Sequence, residues 1–269
     1  MEAYTDLELS YAKKILYEFT NQSISQGIDL LRTLKDDVVA GIPEKKRQSQ
    51  GITWVLQRIS NLLVETSEGE TRIRDIALTL YLHLEMDDVL MGVPIFMMGE
   101  YGEQHATEVF DFFRQVAASE NWMVREFAQA GFRMLIKPNR EIVHSWLQPI
   151  AQGANPYLRR FVGETLRPVA LNRWMTDEPE YSLSILRLLF REPHPYPRTS
   201  VGNNLSDLSR KNPGLIISLV QELVANGDKN SYWIAYRACR NLVKQDPLRI
   251  LDLLGIDEYH YKDRNFYRF

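Results

Sequence analysis

The feature that most limits what this chain can fold into is an internal repeat in its second half. Four eleven-residue segments align, beginning at Met123, Tyr157, Tyr196 and Trp233, so successive copies lie 34, 39 and 37 residues apart. Every copy has a small or branched residue at its sixth position and a larger apolar residue at its tenth. Because one helix–turn–helix unit cannot bury its apolar face alone, this spacing predicts copies stacked into a right-handed α-solenoid.

Amphipathic stretches with apolar residues every three to four positions also precede the repeats. They cover residues 6–19, 24–39, 50–64, 71–84 and 105–118. Glycine and proline residues separate them, and those at 92–94 and 99–102 are interpreted as loops. Sustained strand alternation is absent, although a short ribbon around residues 171–176 stays open. We predict an all-α fold in which residues 1–269 form one domain, made of divergent helices (1–119), recognisable repeats (120–255) and a tail (256–269).

Charge is distributed unevenly along the chain. The net charge is −3, but residues 1–120 carry 11 basic and 20 acidic side chains, whereas residues 121–245 carry 17 basic and 10 acidic. Cations that recur on one wall of a repeat stack can follow a charged polymer, and neutralising phosphates releases counterions. The alternative is a solvated face with ion pairs to Glu126, Glu164 and Asp207, and charge alone leaves both interpretations open.

One repeat helix is unusually polar. It contains Asn203, Asn204, Ser206 and Asp207, and side chains of these types compete with the helix for backbone hydrogen bonds. Such a concentration indicates a role beyond filling a core. For the asparagines, the alternative is an internal polar ladder between repeats, because Asn204 and Asn241 occupy equivalent positions.

Three segments carry a family resemblance. LRRFVGETLRP (158–168), YPRTSVGNNLSDLSRKNP (196–213) and WIAYRACRNLVK (233–244) resemble, in order and spacing, the HEAT-like repeat DNA glycosylases of the AlkC/AlkD superfamily, on its AlkC side. The resemblance covers residues 120–255 and fades across 1–119. It implies a concave groove that binds DNA and removal of N-alkylated purines without flipping the base out of the duplex.

The resemblance also implies site residues. The family's acidic positions fall on Asp207, Glu164 and, most loosely, Glu126, and these carboxylates would stabilise positive charge on the deoxyribose as the glycosidic bond breaks. Trp174 and Trp233 would pack near the sugar, and the alternative for each is a core position. The cations predicted to contact DNA are Arg159, Arg160, Arg167, Arg198, Arg210, Lys211, Arg237, Arg240 and Lys244.

Several residues near the predicted site depart from the family pattern. The residues around Glu164 read Gly-Glu-Thr where the family has Ser-Glu-Gly, and a longer segment ending at Trp174 replaces its Pro-Trp. Near Glu126 the family's arginine is displaced and its proline is lost. A second interpretation therefore stays open, a non-catalytic binder of branched or distorted DNA like the AlkF and AlkG branches. A third, a protein-interaction scaffold, is disfavoured by the charge split and the polar helix.

Other chemistry finds little support in the sequence. Cys239 is the single cysteine and is expected to be a buried, inert thiol, and the five histidines lack metal-ligand spacing. We predict no metal and no cofactor. The N-terminus lacks signal-peptide features, and the longest apolar run, residues 89–98, is too short to span a bilayer. We expect a monomeric cytoplasmic protein, nucleoid-associated when bound to DNA, whose tail (259–269) docks on the last repeat or reaches towards DNA.

Overall fold

The structure, a computed structural model, describes residues 3–67, 69–86 and 88–260. The chain divides into two compact units, Met1–Asn139 and Arg140–Phe269. All regular secondary structure in the described ranges is α-helix or 3-10 helix, with no strand, so the predicted all-α class is confirmed. The interpretation of residues 1–269 as a single domain stays a prediction.

Unit 1 is built around one almost wholly buried helix. Its helices are α1 Asp6–Thr20, α2 Ile24–Gly41, α3 Ile52–Thr66, α4 Glu70–His83, α5 Gly92–Gly102, α6 Ala106–Ala117 and α7 Trp122–Ile136. Helix α5 packs against α3, α4, α6 and α7, and all its residues except Glu100 are buried. The five stretches predicted before the repeats are confirmed as α1, α2, α3, α4 and α6.

The loops predicted at 92–94 and 99–102 are wrong, because both stretches lie in α5. Proline is tolerated in the first helical turn, where Pro94 stands. Glycine is needed at 99 for a different reason: a Cβ added there would lie 2.6 Å from the carbonyl oxygen of Gly131. These residues therefore allow close packing of α5 on α7.

Unit 2 contains the last three of the four repeat copies, and the first copy lies on α7 in unit 1. Its helices are α8 Arg140–Ala151, α9 Pro156–Thr165, α10 Pro179–Leu186, α11 Pro195–Leu208, α12 Pro213–Ala225, α13 Lys229–Ala238 and α14 Pro247–Leu254. The second helices of the repeats, α9, α11 and α13, pack side by side with α11 in the middle. The ribbon considered around 171–176 is instead a 3-10 helix, Ala170–Thr176.

A recurring cap fixes where each second helix starts. The side chains of Asn155, His194 and Asp228 accept a hydrogen bond from the amide two residues further on, before α9, α11 and α13 respectively. Asn121 does the same before α7 in unit 1. Such caps satisfy amides that have no partner within the helix, so the repeat is specified locally as well as by its apolar residues.

The asparagines form the polar ladder that the sequence left open. Asn204 Nδ2 donates to the Gly163 carbonyl at 3.1 Å, and Asn241 Nδ2 donates to the Ser206 carbonyl at 2.7 Å. Each bond joins one second helix to its neighbour. Gly163 keeps the first pair close, since an added Cβ would lie 3.0 Å from Cβ of Ser200. These asparagines therefore hold the repeats together.

The described start of the tail docks on the last repeat. The ring of Tyr259 stacks on that of buried Tyr236 with centroids 4.3 Å apart, and its hydroxyl donates to the Tyr236 carbonyl at 2.8 Å. Docking is confirmed for Tyr259, whereas 261–269 lie outside the described residues. Cys239 is fully buried, which raises the pKa of its thiol to about 12, as expected of an inert cysteine. None of the described helices combines the length and apolar character that crossing a bilayer requires.

Candidate nucleic-acid interface and carboxylate cluster

Two of the predicted catalytic carboxylates meet on neighbouring second helices of unit 2. Glu164 lies near the end of α9 and Asp207 near the end of α11, and Arg167 connects them. The Arg167 guanidinium donates to Asp207 Oδ2 from Nε at 2.9 Å and from Nη2 at 2.6 Å, and to Glu164 Oε2 from Nη1 at 3.1 Å. We call Glu164, Arg167 and Asp207 the carboxylate cluster.

Both carboxylates of the cluster are buried, and nearby donors hold Glu164 as an anion. Glu164 is 5% exposed and Asp207 8%. Burial acts to raise the pKa of Glu164, but Arg167, a 2.7 Å hydrogen bond from Ser200 Oγ, and Arg160 outweigh it and lower that pKa below its ordinary value. The Glu164 side chain therefore stays ionised at neutral pH.

Further cations stand at the edge of the cluster. Arg160 Nη2 lies 3.9 Å from Glu164 Oε1, and its guanidinium stacks over the Tyr196 ring at 4.3 Å. Arg210 is exposed, with Nη2 3.7 Å from Asp207 Oδ1, and exposed Lys211 pairs with Asp177. The ion pairs of Arg160 and Arg210 are long and that of Lys211 is exposed, and such pairs are weak. These side chains can therefore exchange a carboxylate for a phosphate.

Arg159 has a different environment from its neighbour Arg160. It pairs with buried Glu192 through two bonds, from Nε at 2.6 Å and Nη2 at 2.9 Å. Its Nη1 donates to the carbonyls of Gly153 and Ala154 at 2.9 and 2.8 Å. These contacts clamp the loop before α9, and the role of Arg159 as a phosphate ligand stays a prediction.

The same clamp occurs at the equivalent repeat position in unit 1. Arg125 Nη1 donates to the carbonyls of Ser119 and Glu120, the loop before α7, at 2.6 and 2.9 Å. Arg125 and Arg159 both stand at the third position of their repeat segment and both bind carbonyls five and six residues earlier. In these two copies, the arginine at this position therefore braces the loop before the second helix.

The remaining predicted cations vary in exposure. Arg198 is half-buried, donates to Asn230 and lies 4.9 Å above the Trp233 ring, and burial lowers its pKa. Arg237 is also half-buried and donates from Nε to Asn203 Oδ1 at 2.9 Å. The last two, half-exposed Arg240 and exposed Lys244, both lie just after α13.

The two predicted tryptophans are placed differently. Trp233 is buried, so in the free protein it occupies a core position, the alternative considered from the sequence. Trp174 is half-buried in the 3-10 helix after α9, with the Arg140 guanidinium 4.0 Å from its ring and Tyr181 5.0 Å away. Its indole N–H is buried without a hydrogen-bond partner among the described residues. Contact of either ring with a sugar stays a prediction.

Glu126, the loosest of the acidic matches, lies in unit 1 on α7 and accepts a hydrogen bond from Gln129. The structure reveals a neighbour that the sequence analysis missed: Trp122, 67% exposed, one turn earlier on the same helix face. A signal was present, because the equivalent first helical positions of α9 and α11 hold proline. Packing therefore does not require a large aromatic side chain there. No group of three or more potential metal ligands occurs among the described residues.

This chain resembles a sequence relative and several solved structures. No family model matches the sequence. The uncharacterized protein YhaZ of Bacillus subtilis (strain 168) is 28% identical over 167 residues, which cover 59% of this chain and 43% of YhaZ. The match thus spans less than half of that relative.

Solved structures match over more of the chain. The alkylpurine DNA glycosylase AlkC of Pseudomonas fluorescens, bound to DNA containing an abasic site analog, is 21% identical with a TM-score of 0.56, covering 94% of this chain and 69% of AlkC. AlkD2 of Streptococcus mutans is also 21% identical with a TM-score of 0.56, covering 69% of this chain and 87% of AlkD2. The fold of this chain is therefore the HEAT-like repeat fold of AlkC and AlkD2.

Proposed function

We propose that this chain is a DNA-binding protein of the alkylation repair type and that the second helices of unit 2 hold its phosphate ligands. Residues 121–245 carry a net charge of +7, and α9, α11 and α13 are neighbours. Their outward cations can therefore contact successive phosphates, and release of counterions favours binding. AlkC, which shares the fold and is an alkylpurine DNA glycosylase bound to DNA, supports this proposal.

The observation that carries a catalytic function is the carboxylate cluster itself. Two acidic groups share one guanidinium at hydrogen-bond distance, so the cluster has a net charge of −1. If the side chains of Arg160 and Arg210 bind phosphates instead of the carboxylates, they no longer neutralise the negative charge of the cluster. A preorganised negative charge stabilises the positive charge that develops on a deoxyribose as an alkylated purine leaves. Glu164 and Asp207 are our candidate charge-stabilising residues, and Arg167 fixes their positions.

Release of bases from methylated duplex DNA tests the catalytic proposal. We expect the protein to release alkylpurines and Asp207→Asn to slow release by about 100-fold or more, because it removes charge stabilisation at the reacting sugar. Asp252→Asn is the matched control, since Asp252 is exposed on α14, and it should leave release unchanged. Gel shifts with both variants should show retained DNA binding. Release that is insensitive to Asp207→Asn would remove this residue from the chemistry.

One observation favours a second candidate, a non-catalytic binder of branched or distorted DNA. Arg167 already occupies oxygens of both carboxylates, and little of either carboxylate is exposed. The two functions separate when gel shifts on linear duplex and four-way junction DNA accompany the release assay. No release together with preferential junction binding would replace the glycosylase by the binder. Failure to bind either DNA would leave the protein-interaction scaffold.

A further inference from the structure

The four carboxylate oxygens of the carboxylate cluster differ in how closely they are held. Arg167 donates to Oε2 of Glu164 at 3.1 Å, and to Oδ2 of Asp207 at 2.9 and 2.6 Å. Ser200 Oγ donates to Oε1 of Glu164 at 2.7 Å. Oδ1 of Asp207 receives no hydrogen bond from the other described residues, and its ion pair with exposed Arg210 is 3.7 Å long. Oδ1 of Asp207 is therefore the oxygen of the cluster that is most open to a substrate.

Ser200 occupies a repeat position that an aromatic ring fills in two other copies. It is the fifth residue of its eleven-residue segment, where the first two segments have the buried rings of Phe127 and Phe161. Ser200 is also buried, so apolar packing would suit this position too. A buried hydroxyl instead requires a hydrogen-bond partner, and the Oγ of Ser200 has Glu164 as that partner. The serine is therefore explained by its bond to the glutamate rather than by packing alone.

The next repeat shows how the stacking places this contact. Arg237, the fifth residue of its segment, donates from Nε to Oδ1 of Asn203, the eighth residue of the preceding segment, at 2.9 Å. Ser200 and Glu164 are likewise a fifth residue and the eighth residue of the preceding segment. An arginine at the fifth position adds a positive charge, whereas a serine donates without one. Ser200 therefore holds Glu164 in place and leaves the net negative charge of the carboxylate cluster unchanged.

The bond from Ser200 also affects how Glu164 pairs with Arg167. A carboxylate and a guanidinium favour a bidentate pair, in which both oxygens accept from the same fork. Here Ser200 occupies Oε1, and Arg167 reaches Oε2 with one nitrogen, Nη1. The other two nitrogens, Nε and Nη2, remain for Oδ2 of Asp207. Without the serine hydroxyl, Oε1 becomes available to Arg167, and a bidentate pair with Glu164 would draw the guanidinium away from Asp207.

We propose that Ser200 is a positioning residue of the carboxylate cluster. By limiting Glu164 to one bond with Arg167, it leaves that arginine to hold Asp207 through Oδ2, with Oδ1 open to the deoxyribose. Ser200 is buried and acts through these charged residues rather than on the DNA. An arrangement fixed in advance stabilises developing charge without reorganisation during the reaction. The inference rests on the proposed catalytic function, in which Asp207 stabilises the cationic sugar.

Single-turnover release of bases from methylated duplex DNA tests the proposal. We expect Ser200→Ala to slow release about tenfold or more, because the lost hydrogen bond is to a charged group. The matched control is Ser182→Ala, which removes another buried serine hydroxyl of unit 2, one that donates to the Pro179 carbonyl at 3.0 Å. This control should leave release unchanged. Urea unfolding and gel shifts should show that both variants fold and keep their affinity for DNA.

Two further measurements separate positioning from a purely structural role. In a Glu164→Ala background, Ser200→Ala should change release by less than about twofold, since its effect passes through the glutamate. Burial acts to raise the pKa of Glu164, and Arg167 and Ser200 oppose that shift. Ser200→Ala should therefore move the acid limb of the pH profile for release to higher pH, whereas Ser182→Ala should not.

The outcomes distinguish the positioning role from the proposed function. Equal losses from Ser200→Ala with and without Glu164, an unmoved acid limb, or an equal loss from Ser182→Ala would overturn the positioning role. Release by the wild-type protein that Ser200→Ala does not slow would also overturn this role and leave the glycosylase intact. No release by the wild-type protein would overturn the catalytic function, and this inference with it.

Discussion

Two glutamates, Glu100 in unit 1 and Glu164 in unit 2, have opposite electrostatics. In unit 1, burial raises the pKa of Glu100 on α5 to about 8, with smaller contributions from two nearby carboxylates, and a 3.0 Å hydrogen bond from Ser60 opposes this shift. In unit 2, burial also acts to raise the pKa of Glu164, but Arg167 and Arg160 outweigh it and lower the pKa. Removal from water therefore leaves a protonated acid at Glu100 and an anion at Glu164.

The difference shows what a charge-stabilising carboxylate requires in this fold. Burial without a nearby cation favours the neutral acid, as at Glu100, and a neutral acid cannot stabilise a cationic sugar. An arginine within hydrogen-bond distance reverses this preference. Glu192, another buried glutamate, also has an arginine, but Arg159 pairs with it one to one and clamps a loop. In the carboxylate cluster, two buried acids share one arginine.

Removal of the Arg159 clamp should have the largest effect on stability. Arg159→Met leaves buried Glu192 without its bidentate partner, and the free energy of unfolding should fall by about 3–5 kcal/mol. Urea unfolding at pH 7 measures this loss. The matched control is Arg187→Met, which should cost about 1 kcal/mol or less because its ion pair with Glu180 is exposed. Unchanged stability of Arg159→Met with strongly reduced DNA affinity would instead make Arg159 a phosphate ligand.

Removal of Arg167 should raise the pKa of Glu164, so that this residue behaves like Glu100. Arg167→Gln should cost about 2–4 kcal/mol at pH 7, below the full value for a buried pair because Arg167 is partly exposed. The pKa of Glu164 is lowered in the folded protein, so its contribution is complete above the ordinary glutamate value and is lost as pH falls through the folded value.

Urea unfolding at several pH values tests this change. The difference between wild type and Arg167→Gln should shrink as pH falls below the ordinary glutamate value towards the lowered folded pKa of Glu164. Arg173→Gln changes an exposed arginine in the neighbouring 3-10 helix and should cost little at any pH. A difference that stays equally large as pH falls through this range would mean that packing, rather than charge, gives Arg167 its role.

Glu100→Gln should have a smaller effect of opposite pH dependence. The folded pKa of Glu100, about 8, lies above its unfolded value, so its protonated form stabilises the fold and this contribution is lost as pH rises towards 8. Wild type should therefore lose about 2 kcal/mol relative to Glu100→Gln between pH 6 and pH 8. Glu44→Gln, at an exposed position of the same unit, should show no such trend. Parallel pH profiles for wild type and Glu100→Gln would contradict the raised pKa.

The fold was predictable from the sequence because its determinants are local. Apolar spacing and the caps at Asn155 and Asp228 lie within a few residues of the helices that they specify. The errors at 92–94 and 99–102 arose where a glycine serves distant packing: Gly99 makes room for the backbone of Gly131, 32 positions away. A local pattern cannot distinguish such a glycine from a loop glycine.

The site was predictable only in part, for the same reason. Repeat spacing placed Glu164 and Asp207 on neighbouring helices, but Arg159 and Arg160 look alike in the sequence. Their roles differ because Glu192, 33 positions further on, reaches one of them. The shared pairing of Arg167 depends on the turn after α9, which no spacing rule predicts.

The smallest expected effect concerns the exposed cations beside the cluster. If Arg210 and Lys211 bind phosphates, alanine at both positions should make the slope of log affinity against log salt shallower by about 1–2, since each phosphate contact contributes about 0.9. The control is Arg187→Ala, which removes an exposed arginine directly after α10. This substitution should leave the slope unchanged. Equal changes in the salt slope for the double variant and for Arg187→Ala would indicate diffuse electrostatic attraction by the whole of unit 2. A shallower slope only for the pair at 210 and 211 would place phosphates next to Asp207, where the net charge of the carboxylate cluster could act on a sugar.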